Sequence, residues 1–140
     1  MRTHFLKELA IQGRERALAV LPDFDFYNLG RLLRLHWESQ QGKTTDDATA
    51  DLTFTGLYEA TGANGSFEVT FRCEGVTQLK LPEIHPALFV SEIEIEDLTG
   101  HGLENANFRI KSYGMTEFEV LTKRLELTEC TPTGCPAQTE

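Results

Sequence analysis

A chain of 140 residues has the usual size of one domain and can bury a hydrophobic core without disulfides or a structural metal. Thirteen basic against 22 acidic side chains give a net charge of -9, and residues 44–140 alone carry -11. Such a surface repels nucleic acid and anionic lipid, whose capture relies on clustered Lys and Arg, and charges break the apolar stretches too often for a membrane span. The N-terminus lacks the basic head, apolar run and small-residue cleavage site of a secretion signal, and the three cysteines, Cys73, Cys130 and Cys135, are an odd number. Reduced thiols in a cytoplasmic protein are the simplest account.

At the N-terminus, Thr3 can cap a helix whose apolar residues Phe5, Leu6, Leu9, Ala10, Ala17, Leu18 and Leu21 recur at helical spacing before Pro22 closes it. Gly13 in its middle costs about 1 kcal/mol relative to Ala, so the pattern predicts one kinked helix or two short ones. In Pro22-Asp23-Phe24-Asp25-Phe26 the two phenylalanines are expected to anchor in the core while both acids stay solvated; two carboxylates without further ligands do not make a cation site.

From residue 29 the period changes to two. Leu33, Leu35 and Trp37 alternate with Arg34, His36 and Glu38, which predicts the first long strand, and residues 40–50 read as a polar loop. Leu52, Phe54, Gly56, Tyr58 and Ala60 alternate up to Asn64-Gly65, a pair suited to a type I′ turn. A two-residue turn there would set Tyr58 opposite Phe71 and Ala60 opposite Val69, with the even apolar positions sharing a face with Phe67, Val69, Phe71 and Cys73. Glu74-Gly75 interrupts, Val76, Leu79 and Leu81 resume, and Pro82 and Pro86 end the ladder.

Ser91 to Asp97 alternates strictly between apolar and acidic residues, so a strand sends Ile93 and Ile95 to one face and Glu92, Glu94 and Glu96 to the other. Thr99-Gly100-His101-Gly102 then leads into a second hairpin over 103–112. If Ile93 and Ile95 meet Ile110 and Phe108, Glu94 faces Arg109 and Glu92 faces Lys111 on the outer side. In the last strand Phe118 and Val120 lie on the opposite parity from Leu125 and Leu127, which requires a bulge near Leu121 to Arg124. The expected fold is mainly β: an N-terminal helical segment packed on a curved, predominantly antiparallel sheet or partly open barrel of six or seven strands. The globular domain is expected to span residues 1–129, with residues 130–140 as a disordered tail.

No catalytic or metal signature is present. His4, His36, His85 and His101 show no ligand spacing, the last lying between two glycines at a hairpin tip, where a catalytic base would lack rigidity. Cys130 and Cys135 amount to half of a zinc site at most, and Cys73 has the parity of a buried, inert thiol. No cofactor is implied. The acidic face of Glu92, Glu94 and Glu96, extended by Asp97 and Glu104, is the candidate surface for a basic protein partner.

Phe71-Arg-Cys-Glu-Gly-Val76 with Leu79 and Leu81, then Ile93-Glu-Ile-Glu-Asp97, Glu104 and Phe108 to Tyr113, resembles small uncharacterised bacterial proteins, some of which are similar to immunity proteins of polymorphic toxin systems. The resemblance covers roughly residues 67–127 and rests on strand and turn positions, so it implies fold and carries no active-site motif. The combined reading is a non-enzymatic, cytoplasmic protein-binding domain of the acidic inhibitor or immunity type. Two alternatives stay open: a small apolar-ligand binder with Trp37, Phe54, Tyr58 and Phe71 lining a pocket, and a homo-oligomer that covers an open sheet edge.

Overall fold

Period-two patterning becomes one antiparallel sheet in the computed structural model, which describes residues 2–40, 49–60, 65–83, 88–100, 106–114 and 117–133. Among these residues the strands are β1 (Arg2–Thr3), β2 (Leu29–Gln40), β3 (Thr49–Glu59), β4 (Ser66–Lys80), β5 (Leu88–Phe89), β6 (Ile93–Asp97), β7 (Phe108–Ser112) and β8 (Glu119–Pro132). They lie in the order β1-β6-β7-β8-β4-β3-β2-β5, every neighbouring pair antiparallel. No ladder closes β1 onto β5 among the described residues, so the sheet is open. Its two ends nevertheless lie near each other, because three residues, Val90 to Glu92, join β5 at one edge to β6 beside the other and can span about 14 Å at most.

The N-terminal segment departs from the expected helix. It contains a 3-10 turn at Leu6–Glu8, a single α-turn, α1 (Glu15–Leu18), and a second 3-10 turn at Phe26–Asn28 capped by the Asp25 side chain, which accepts from the Tyr27 amide. The reason lies at Gly13. Its φ is +83°, and a Cβ there would sit 2.0 Å from the Leu127 carbonyl oxygen. The neighbouring Gln12 bridges to Glu126, and its carbonyl accepts from the Leu127 amide at 2.9 Å. The segment is thus pinned backbone to backbone against β8, where a continuous helix would hold its own amides and carbonyls.

The apolar pattern still does what it predicts. Leu6, Leu9, Ala17, Leu21, Phe24 and Phe26 are buried against the inner face of the sheet with Phe54, Phe71, Val120 and Leu127. Each large side chain so buried contributes about 1.5–3 kcal/mol.

Strand parity follows the pattern in β3, in β6 and in β4 as far as Cys73, while both hairpin registers shift; in β2 two register steps bring Leu32 rather than Leu33 to the buried face. Tyr58 pairs with Phe67 and Phe54 with Phe71, four residues from the expected register. The Ala60 amide donates to the Gly65 carbonyl, so the connection is longer than a two-residue turn; Asn64 lies outside the described residues. In the second hairpin Ile95 pairs with Ile110, Glu94 with Lys111 and Glu96 with Arg109, two residues from the expected alignment. Glu92 has a φ of +53°, which ends regular strand geometry before Ile93.

The parity change in the last strand is present between Thr122 and Leu125, both buried, but no bulge makes it: the ladder runs unbroken from Val76 opposite Thr122 to Cys73 opposite Leu125, and both strands change parity together. The register steps between Val76 and Gln78 of β4, leaving Thr77 over, beside Gly75 with a φ of +68°. Thr122 closes the junction by donating to the carbonyls of Glu74 at 2.8 Å and Arg124 at 3.1 Å. β8 continues through Cys130 to Pro132, paired with Phe67 to Val69 and so past the expected domain end; residues 134–140 lie outside the described ones.

Candidate functional site

On β6 the inner residues Ile93 and Ile95 are almost wholly buried, so Glu94 and Glu96 share the outer face as the alternation requires. Neither stands as a bare carboxylate. Glu94, whose side chain is 15% exposed, is held by Arg2 Nε at 2.8 Å and accepts a hydrogen bond from the Tyr27 hydroxyl. Arg2 also lies over the ring of Tyr113, 4.7 Å from its centre, and donates to its hydroxyl at 3.2 Å. Tyr27 stacks on His4 with ring centres 4.0 Å apart, and His4 Nδ1 lies 2.7 Å from Asp25 Oδ1.

A connected row, Tyr113–Arg2–Glu94–Tyr27–His4–Asp25, therefore crosses the β1–β6 edge of the sheet. Tyr27 and Tyr113 remain about 40% exposed. The hydrogen bond to Glu94 pushes the Tyr27 hydroxyl up to about 12, so the phenol stays a donor throughout the neutral range.

Glu96 belongs to a different arrangement. Arg109 of β7 holds it at 2.8 Å, Arg109 Nε lies 3.2 Å from Glu119 of β8 without hydrogen-bond alignment, and Glu119 lies 3.8 Å from Lys80 of β4. Alternating charges thus cross four adjacent strands. A similar row on the far half joins Asp51, Arg72, Glu74 and Arg124. Exposed pairs of this kind contribute about 0–1 kcal/mol each and mainly specify register.

Of the other acidic candidates, Glu92 is exposed but off the strand, and its carbonyl accepts from the Tyr113 amide. Asp97 closes β6 by accepting from the amide and hydroxyl of Thr99. Glu104 lies outside the described residues, as do His85, His101 and Cys135. Asp23 is exposed beside Lys7, and Asp25 is committed to His4 and the Tyr27 amide, so the two do not converge on one point. Among the described residues no cluster of His, Cys, Asp or Glu is arranged to hold a metal ion, and no helix is long and apolar enough to cross a membrane.

Of the four aromatic residues of the pocket alternative, Phe54, Tyr58 and Phe71 are buried and stacked in the core. Phe54 stacks on Phe71 at 5.3 Å, Tyr58 stacks on Phe24 at 4.4 Å, and Phe26 and Phe118 complete the row. The N-terminal segment supplies Phe24 and Phe26 to this stack. Trp37 is separate, 48% exposed, at one end of a surface cleft of about 390 Å³ that Ala50, Val76, Gln78 and Leu79 also line. Cys73 is buried, and desolvation pushes its thiol far up, which makes it inert.

The sequence contains the acidic strand but not its partners. Arg2, His4 and Tyr27 carry no signal that places them over residue 94, because the β1–β6 pairing joins positions more than ninety residues apart. No family model, curated protein or solved structure matches this chain.

Proposed function

We propose that the protein is a non-enzymatic protein-binding domain that receives a basic protein partner on the face around Glu94, as an acidic inhibitor or immunity protein does. The observation that carries this reading is the row Tyr113–Arg2–Glu94–Tyr27, in which Arg2 is held on β1, Tyr27 on the Asp25-capped turn and Tyr113, just past β7, by its amide's bond to the Glu92 carbonyl. Tyr and Arg dominate the energetics of protein interfaces, and side chains already held in place lose little entropy on binding. The net charge of -9 favours a basic partner by speeding encounter and disfavouring acidic competitors.

The geometry changes which substitutions test the idea. Converting Glu94 or Glu96 to Lys would set a cation against Arg2 or Arg109 and disturb the sheet itself. Tyr27→Ala with Tyr113→Ala removes the exposed rings while leaving both carboxylates and their strands in place. Capture of partners from the source organism by the wild-type and double-variant proteins, followed by calorimetry with the captured protein, should show a basic protein whose affinity falls at least about 30-fold in the variant. Unchanged affinity would remove this face from the proposal.

A further inference from the structure

Arg2 fills a position shaped for a guanidinium group. Its Nε lies 2.8 Å from Glu94 Oε1, its Nη1 donates to the Tyr113 hydroxyl at 3.2 Å, and its guanidinium carbon lies 4.7 Å from the centre of the Tyr113 ring. A planar fork meets a carboxylate, a hydroxyl and an aromatic ring at once, which the single ammonium of a lysine does not. The second oxygen of Glu94 accepts from the Tyr27 hydroxyl, so a contact independent of Arg2 also orients the carboxylate.

The occupant is held less firmly than the position it fills. Tyr27 stands on the Asp25-capped turn, Glu94 on a strand paired along its length with β7, and the Tyr113 amide bonds to the Glu92 carbonyl. Arg2 belongs instead to a two-residue strand whose only neighbour among the described residues is β6, and its side chain is 55% exposed against 15% for Glu94. An ion pair with so exposed a partner is weak. Lys111 also lies over Tyr113, 5.3 Å from its centre, so the ring draws cations besides Arg2.

We infer that Arg2 stands in for an arginine of the basic partner, which takes its place between Glu94 and Tyr113 when the two proteins dock, while the displaced Arg2 side chain turns to solvent. This rests on the protein-binding reading of the face and specifies its partner as a protein with an arginine at the centre of its contact patch. The exchange replaces one guanidinium by another. Glu94 is already largely withdrawn from water by the fold, so the incoming arginine meets a carboxylate whose desolvation is not charged to binding. A lysine in its place would keep the charge and lose the bond to the Tyr113 hydroxyl.

The test titrates the full chain with the capped peptide acetyl-Gly-Arg-Gly-amide and with its lysine counterpart, read by amide shifts in nuclear magnetic resonance. Arg2→Ala empties the position, and the arginine peptide should bind this variant about fivefold more tightly than the wild type, the factor that one exposed ion pair represents. The shifts should centre on Glu94, Tyr27 and Tyr113, and the lysine peptide should bind more weakly. Lys123→Ala removes the same charge from an exposed position of β8 and should bind as the wild type does. Adding Glu94→Gln to Arg2→Ala should abolish the gain. Circular dichroism checks the fold of each variant, and Arg2→Lys, which keeps the charge but not the fork, repeats the comparison should Arg2→Ala unfold. Equal binding by Arg2→Ala and Lys123→Ala, equal binding of the two peptides, or a gain that survives Glu94→Gln overturns the inference. A peptide gain beside a captured protein indifferent to the Tyr27 and Tyr113 substitutions would keep the guanidinium position and remove the protein-binding reading; no gain beside an affected protein would remove only the exchange.

Discussion

Gly13→Ala should damage this protein far more than the addition of one methyl group suggests. At φ +83° any L-residue costs about 1–2 kcal/mol. The added Cβ would also meet the Leu127 carbonyl oxygen at 2.0 Å and its carbon at 3.1 Å, and because these are backbone atoms no side-chain rotation relieves the overlap. The segment must lift from β8 and give up the bond from the Leu127 amide to the Gln12 carbonyl, leaving a buried donor unpaired at about 1–3 kcal/mol. The total is about 3 kcal/mol, a fall in Tm of about 10 °C for a chain of this size.

Gly65→Ala is the matched control: φ is +75°, but nothing lies within 4 Å of the added carbon. It should lose only about 1 kcal/mol. Thermal and urea denaturation of both variants measure the difference. Equal losses would show that backbone conformation alone matters at Gly13 and would refute the pinning of the N-terminal segment to β8.

Two further outcomes follow from the titrating groups. In a Cys135→Ser background, a thiol reagent should modify half-buried Cys130 slowly and leave Cys73 untouched until urea unfolds the chain; native labelling of Cys73 at the rate of Cys130 would contradict its place in the core. The Tyr27 hydroxyl is raised from 10.0 to about 12 by its hydrogen bond to Glu94, so the stability it contributes is full below pH 10 and is lost as pH rises from 10 towards 12. The urea midpoint of the wild type relative to Tyr27→Phe should therefore be level up to pH 10 and converge above it. A difference independent of pH across that interval would show that the hydroxyl is not bonded to the carboxylate.

What was legible in the sequence was parity, and what was not was register. Leu52, Phe54 and Tyr58 reach the inner face with Phe67, Phe71 and Cys73, as two-residue periodicity requires, although the ladder is four residues from the expected alignment. A shift of two or four leaves every side chain on its face, so a burial pattern cannot detect it. Turn geometry decides the register, and the Ala60–Gly65 connection departs from the two-residue turn that Asn64-Gly65 suggests.

The N-terminal segment shows a different limit. Its apolar spacing identifies residues that are buried, but the same spacing serves a helix and a chain of short turns. The deciding contact, Gly13 against Leu127, joins residues more than a hundred positions apart. The acidic strand was legible for the same reason as the core, whereas its partners Arg2 and Tyr27 arrive through that long-range packing.

Core and candidate interface consequently share one segment. Phe24 and Phe26 turn inward to fill the space under Phe54 and Phe71, while Tyr27, the next residue, turns outward to Glu94. The Phe26 amide bonds to the His4 carbonyl and Phe5 bridges to Asp25, so the turn that carries Tyr27 is tied to the strand that carries Arg2. Arg2 and Thr3 in turn pair with Glu96 and Ile95. The outer face is therefore held in position by the burial of two aromatic rings beneath it, and a substitution that loosens the inner packing displaces that face without touching any of its residues.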